Sequence, residues 1–152
     1  MTLAMLAALA GCGAASTPSQ SEAPSQQYSA PLYPNETPQL RAQIIAAAQK
    51  HDVPVALVQR VIVRESTHRP WARNGPYYGL MQILPATARG MGYEGPAEGL
   101  LDAQTNLHFA VKYLRGAWLL SGGSYDEAVK WYARGYYYEA KRRGMLEATG
   151  LR

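Results

Sequence analysis

The sequence predicts an all-α domain of five or six helices behind a disordered tether, and three observations carry that prediction. From Thr37 onward apolar residues recur at helical spacing, and no run alternates clearly enough to read as a strand. Capping residues, prolines and glycines stand where such helices would start and stop. Residues 13–36, by contrast, are Ser, Pro, Gln and Ala with almost no branched aliphatics, too little apolar material to offset the entropy of ordering. The chain has 152 residues, 47% hydrophobic and 17% charged, which suits one core of roughly 100–120 residues plus extras.

Thr37 caps the first helix with Pro38 at its first position, and Leu40, Ile44, Ile45 and Ala48 form its buried stripe. A second helix begins near Pro54 and runs to about Ser66. Pro85 starts a short third helix that Gly90 or Gly92 closes. The longest runs from Asp102 to about Ser121, burying Leu107, Val111, Leu114 and Trp118 until Gly122-Gly123 stops it. Ser124 and Glu127 make a capping box for a helix ending near Gly135, and a basic helix holds Tyr137 to Arg143. No internal repeat is present.

From residue 41 the chain carries 15 basic against 9 acidic residues, a formal +6. That excess suits polyanionic surroundings such as nucleic acid, acidic lipid or an acidic wall polymer, and equally an ordinary charged surface. Lys141-Arg142-Arg143 beside Tyr136–Tyr138 comes with no nucleic-acid motif, so no nucleic-acid partner is expected. His51, His68 and His108 lack metal-ligand spacing, and neither a metal nor any other cofactor is expected. One cysteine, Cys12, excludes an internal disulfide. It ends the run Leu9-Ala10-Gly11-Cys12, which resembles the lipobox of bacterial lipoproteins. The division that follows is 1–12 signal and lipobox, 13–36 linker and 37–152 domain, with the membrane reached through a lipidated Cys12. The apolar run before it lacks a basic flank and is short for a signal, as a start codon set too far downstream would leave it.

The stretch VIVRESTHRP poses the chemical question. Leu57, Val58, Val61, Ile62 and Glu65 share one helix flank, so an apolar face ends in a carboxylate. The helix C-terminus and partial burial both disfavour its ionised form, as a general acid requires. Arg64, His68 and Arg69 oppose that shift, and a surface glutamate paired with a neighbouring arginine fits the same spacing.

Beyond Glu65 come Ser66, Pro70, Ala72 and then Gly79-Leu80-Met81-Gln82-Ile83. ES, xxxPxA and GLMQI in this order resemble the catalytic domain of soluble lytic transglycosylases, which shares its fold with goose-type lysozyme. The likeness continues through Asp102, Asn106, Tyr113 and Leu114 in LLDAQTNLHFAVKYL, where Ala110 replaces a more usual Gly. It reaches Tyr132 in WYARG, at the place of the family's AYN motif, and spans about Thr37 to Gly144. In WYARG the usual Asn is Ala133, which puts sugar positioning in doubt more than the chemistry; Arg134 stands beside it as a candidate substitute.

The resemblance implies a compact lysozyme-like domain with a cleft. Its substrate would be peptidoglycan glycan strands, cut without water between N-acetylmuramic acid and N-acetylglucosamine to leave 1,6-anhydro ends. Glu65 would act as acid and then base, with Ser66, Gln82, Met81, Tyr132, Asn106 and Tyr113 binding substrate or supporting the site. Tyr77 and Tyr78, like Met81, read either as walls of a sugar groove or as core. The protein would be a monomer on the periplasmic face of the bacterial cell envelope, held as an outer-membrane lipoprotein. Two alternatives stay open: a hydrolytic muramidase or chitinase on the same fold, and a non-catalytic wall-binding lipoprotein, which Ala133 favours. Glycosidases that hydrolyse use two carboxylates, and the motifs offer Glu65 no evident second one.

Overall fold

The structure, a computed structural model, describes residues 30–151. Cys12, the signal and most of the linker lie outside those residues. The unit that begins at Leu32 is mostly helical, as expected: α1 (Pro38–Lys50), α2 (Val55–Glu65), α3 (Pro85–Gly90), α4 (Ala103–Leu120), α5 (Tyr125–Arg134) and α6 (Tyr137–Arg142). The caps read from the sequence are made. Thr37 Oγ1 accepts from Leu40 N at 3.1 Å, Asp102 Oδ1 from Thr105 N at 2.8 Å and Ser124 Oγ from Glu127 N at 3.3 Å. The Glu127 carboxylate takes Lys130 instead of closing the box. Gly122 and Gly123 end α4 with φ of 61° and 86°, a conformation that residues with a Cβ resist.

α4 is the central element, packed against α1 on one side and α5 on the other, while α1 also meets α2. Its Leu107, Ala110, Val111, Leu114 and Ala117 are all buried. On α2, which packs against α1, the apolar flank Leu57, Val58, Val61 and Ile62 reaches no solvent; each such aliphatic contributes about 1.5–3 kcal/mol. Two expected core residues, Ile45 and Trp118, are only half-buried, because they sit at the edge of their helix stripes.

Three elements were not expected. A two-stranded antiparallel ribbon, β1 (Arg73–Asn74) with β2 (Tyr77–Tyr78), pairs Arg73 with Tyr78 and Asn74 with Tyr77 around Gly75-Pro76. A 3-10 segment covers Ala97–Leu101. The third is a strap, residues 32–36, which the sequence assigned to the linker. Glu36 is 7% exposed, accepts from Arg41 Nε and Nη2 at 2.6 Å each and from Gln59 Nε2 at 2.8 Å, and so belongs to the domain. Tyr33 stacks on His68 at 4.9 Å, and Asn35 Nδ2 donates to Thr67 O. A linker boundary at 36/37 is therefore too late: composition averages over the window, whereas two or three specific contacts suffice to dock its end.

Candidate active site

Glu65 is the last residue of α2 and continues the apolar flank of that helix. Its side chain is 24% exposed, with Oε1 3.5 Å from Arg64 Nε. Burial pushes its carboxyl above the ordinary value, and the Arg64 charge opposes this without cancelling it. The other two cations weighed in the sequence drop out. His68 is buried and kept neutral, first by desolvation, and Arg69 Nε donates to Ser66 O. Among the described residues no second carboxylate shifts Glu65.

The helix exit after Glu65 is tight. Ser66 and Thr67 both donate their N–H to Ile62 O at 3.0 Å. Thr67 and His68 then take φ of 52° and 60°, which is costly for a β-branched residue. The strap supplies the restraint: Asn35 holds Thr67 O, and His68 Nε2 donates to Gln59 Oε1 at 2.6 Å while Gln59 donates to Glu36.

The remaining motif residues converge on one loop, Gly79–Gln82, next to the ribbon. Ser66 Oγ donates to Leu80 O at 2.7 Å. Asn106 accepts from Met81 N at 3.0 Å and donates to Tyr78 O and Leu100 O at 2.8 and 2.9 Å. Tyr132 OH donates to Met81 O at 2.8 Å. Gln82 turns back on its own loop, its Nε2 donating to Gly79 O and Ala72 O. Gly79 is required twice over: its φ is 73°, and a Cβ there would lie 2.4 Å from both Asn106 Nδ2 and Leu100 O. Ser66, Met81 and Asn106 are 1%, 0% and 0% exposed. Of the two roles expected for them, binding substrate or supporting the site, this burial favours support, through the loop to which they belong or bond. Met81 and Tyr78 are core, while Tyr77 is exposed, because neighbours on a strand face opposite ways.

A cleft of about 280 Å³ opens between this loop and α5, lined in part by Tyr77, Gln82, Thr87, Tyr113, Tyr132, Ala133 and Arg134. Tyr132 links it to Glu65. Its hydroxyl is pushed well above the usual phenol range, first by burial and next by the Glu65 charge. Tyr113 lies 5.5 Å from Tyr132 and 4.7 Å from Tyr136, ring to ring, and Tyr136 OH donates to Tyr113 O. Ala133 is exposed at the cleft wall, so the amide usual at that place is missing from the surface and not from the core.

The segment that carries Glu65, the Gly79–Gln82 loop and Tyr132 lies within residues 42–144, which match a known family model, the Transglycosylase SLT domain. The chain belongs to the Transglycosylase SLT family. The match covers α2 to α6 and most of α1, and membership makes this a lytic-transglycosylase-like domain directed at peptidoglycan. No solved structure matches the chain. The roles of Ser66, Asn106 and Tyr132 as loop clamps were not readable from their spacing, because three distant segments meet only in the fold. The strap residues Asn35 and Glu36 were missed altogether; the acid–base pair Glu36/Arg41 was the available signal.

Proposed function

We propose that this protein is a peptidoglycan lytic transglycosylase that breaks the β-1,4 bond between N-acetylmuramic acid and N-acetylglucosamine with Glu65 alone. The observation that carries the reading is a half-buried carboxyl at the end of α2, pushed above its ordinary value by burial, whose charge is felt by Tyr132 on the cleft wall. Glu65 gives its proton to the glycosidic oxygen as the C1–O bond breaks, and the N-acetylglucosamine end leaves as an alcohol. The Glu65 carboxylate then takes the proton of the muramic C6 hydroxyl as that oxygen bonds to C1. The 1,6-anhydro ring closes, Glu65 is again protonated, and no water is consumed. Tyr132 and Gln82 line the cleft and order its floor, so that the acid meets the bond in a fixed geometry.

Residues 1–12 are read as a lipoprotein signal ending at Cys12, and the residues up to 31 as a tether to the membrane. Together they would keep a monomeric enzyme in the cell envelope as an outer-membrane lipoprotein. The deciding experiment is mass spectrometry of muropeptides released from purified peptidoglycan by wild type and Glu65→Gln. Anhydro ends from wild type and at least about 100-fold slower release by a folded Glu65→Gln are expected. Products heavier by one water would make the enzyme a hydrolase. Near wild-type release by Glu65→Gln would move the chemistry to another residue.

A further inference from the structure

The groove continues past Gly135. A second cavity of about 480 Å³ shares Thr87, Tyr113, Arg134 and Gly135 with the first, and its outer part is lined by Trp131 and Tyr138. Arg134 stands at the junction of the two. It is exposed, with its guanidinium carbon 3.8 Å from the centre of the Trp131 ring, a stacking that orients the plane and leaves its N–H edges free to donate.

Charge makes the position unusual. Among the described residues, Arg134 is the only charged one lining the smaller cavity, and the larger adds only Glu139. Glu139 is already occupied: Arg142 Nε and Nη2 donate to it at 2.9 and 2.6 Å, and Arg143 Nε at 2.6 Å. Arg60, Arg115, Arg142 and Arg143 each meet a carboxylate; among the described residues Arg134 meets none, and neither do Arg69, Arg73 and Arg89, but of these four only Arg134 lines the two cavities. A planar donor fork, unopposed in a groove of tyrosines and neutral polar groups, is suited to a ring-bearing ligand that also carries an acid.

We propose that Arg134 is a carboxylate-binding residue of this groove, gripping an acidic group carried by the glycan strand. The carboxylate has two sources: the lactyl group of muramic acid where the peptide has been removed, or the acids of an attached peptide. The inference rests on the glycan reading above. It also gives Arg134 a role that a restored amide at Ala133 would not fill, since an amide does not carry the charge.

The test measures binding, not turnover, using the full chain carrying Glu65→Gln, with and without Arg134→Gln or Arg134→Lys. Three ligands separate the sources: chitohexaose, which has no carboxylate; a peptide-free muramic oligosaccharide; and a peptide-bearing one. Arg134→Gln should weaken at least one carboxylate ligand by about tenfold or more while leaving chitohexaose unchanged, and Arg134→Lys should recover only part. The ligand that weakens names the source. Equal weakening of all three ligands, or of none, overturns the inference while the glycan reading stands. Failure of the parent to bind any of the three overturns both.

Discussion

Replacing Glu36 by Gln should cost this domain a measurable fraction of its stability, and the cost should vanish in acid. Burial raises the Glu36 carboxyl, but the hydrogen bonds from Arg41, Tyr33 N and Gln59 together outweigh it and hold the group at about 2, against 4.5 in an open chain. At about 1.4 kcal/mol per tenfold, that difference contributes about 3 kcal/mol to folding at neutral pH. Because the folded value is depressed, the contribution is complete above pH 4.5 and is lost as pH falls towards 2. It comes to about 1.5 kcal/mol at pH 3 and a few tenths at pH 2. Glu36→Gln also deprives the buried Arg41 of that carboxylate, so a loss of about 3–5 kcal/mol is expected at pH 7. For about 120 ordered residues this lowers Tm by roughly 10–20 °C. Urea titrations of wild type and Glu36→Gln at pH 7, 4 and 3 measure it. Equal midpoints at pH 7, or a gap that does not narrow with acid, would refute the assignment of residues 32–36 to the folded unit.

Two further substitutions probe the cleft floor. Tyr132→Phe removes the hydroxyl that holds Met81 O; it should cost about 1–2 kcal/mol in a melt and lower turnover at saturating substrate more than it changes KM. A kinetically silent Tyr132→Phe would leave the phenol a purely structural role. Gly79→Ala forces a Cβ against Asn106 and the Leu100 carbonyl and should prevent a native fold or lower Tm by 10 °C or more; a wild-type melt would contradict the packing around that loop.

The helices were legible because their signals are local. Thr37-Pro38, Asp102 and Ser124 announce starts, the glycine pair at 122–123 announces a stop, and the flank Leu57–Ile62 can be counted on the fingers of one periodicity. The ribbon escaped because its strands are two residues long, too short to show alternation, although Gly75-Pro76 between them is a turn signal. The strap escaped because Tyr33, Asn35 and Glu36 are scattered through a polar stretch, and only Thr67, His68 and Gln59 give them partners. Glu65 was readable as a candidate, but the direction of its titration was not. That depended on where His68 and Arg69 point, and one is neutral in the core while the other is spent on a backbone carbonyl.

The closure of Ser66, Asn106 and Tyr132 on a single loop separates the sequence into positions that are free to change and positions that are not. Altering any of those three strands a buried carbonyl or N–H, whereas Ala133, Arg134 and Tyr138 carry no bond into the core and look onto open cleft. An engineer seeking a new substrate preference would therefore randomise 133, 134 and 138 while leaving 66, 79, 106 and 132 untouched. Libraries built that way should retain soluble expression at nearly every combination, so that selection acts on recognition and not on survival of the fold.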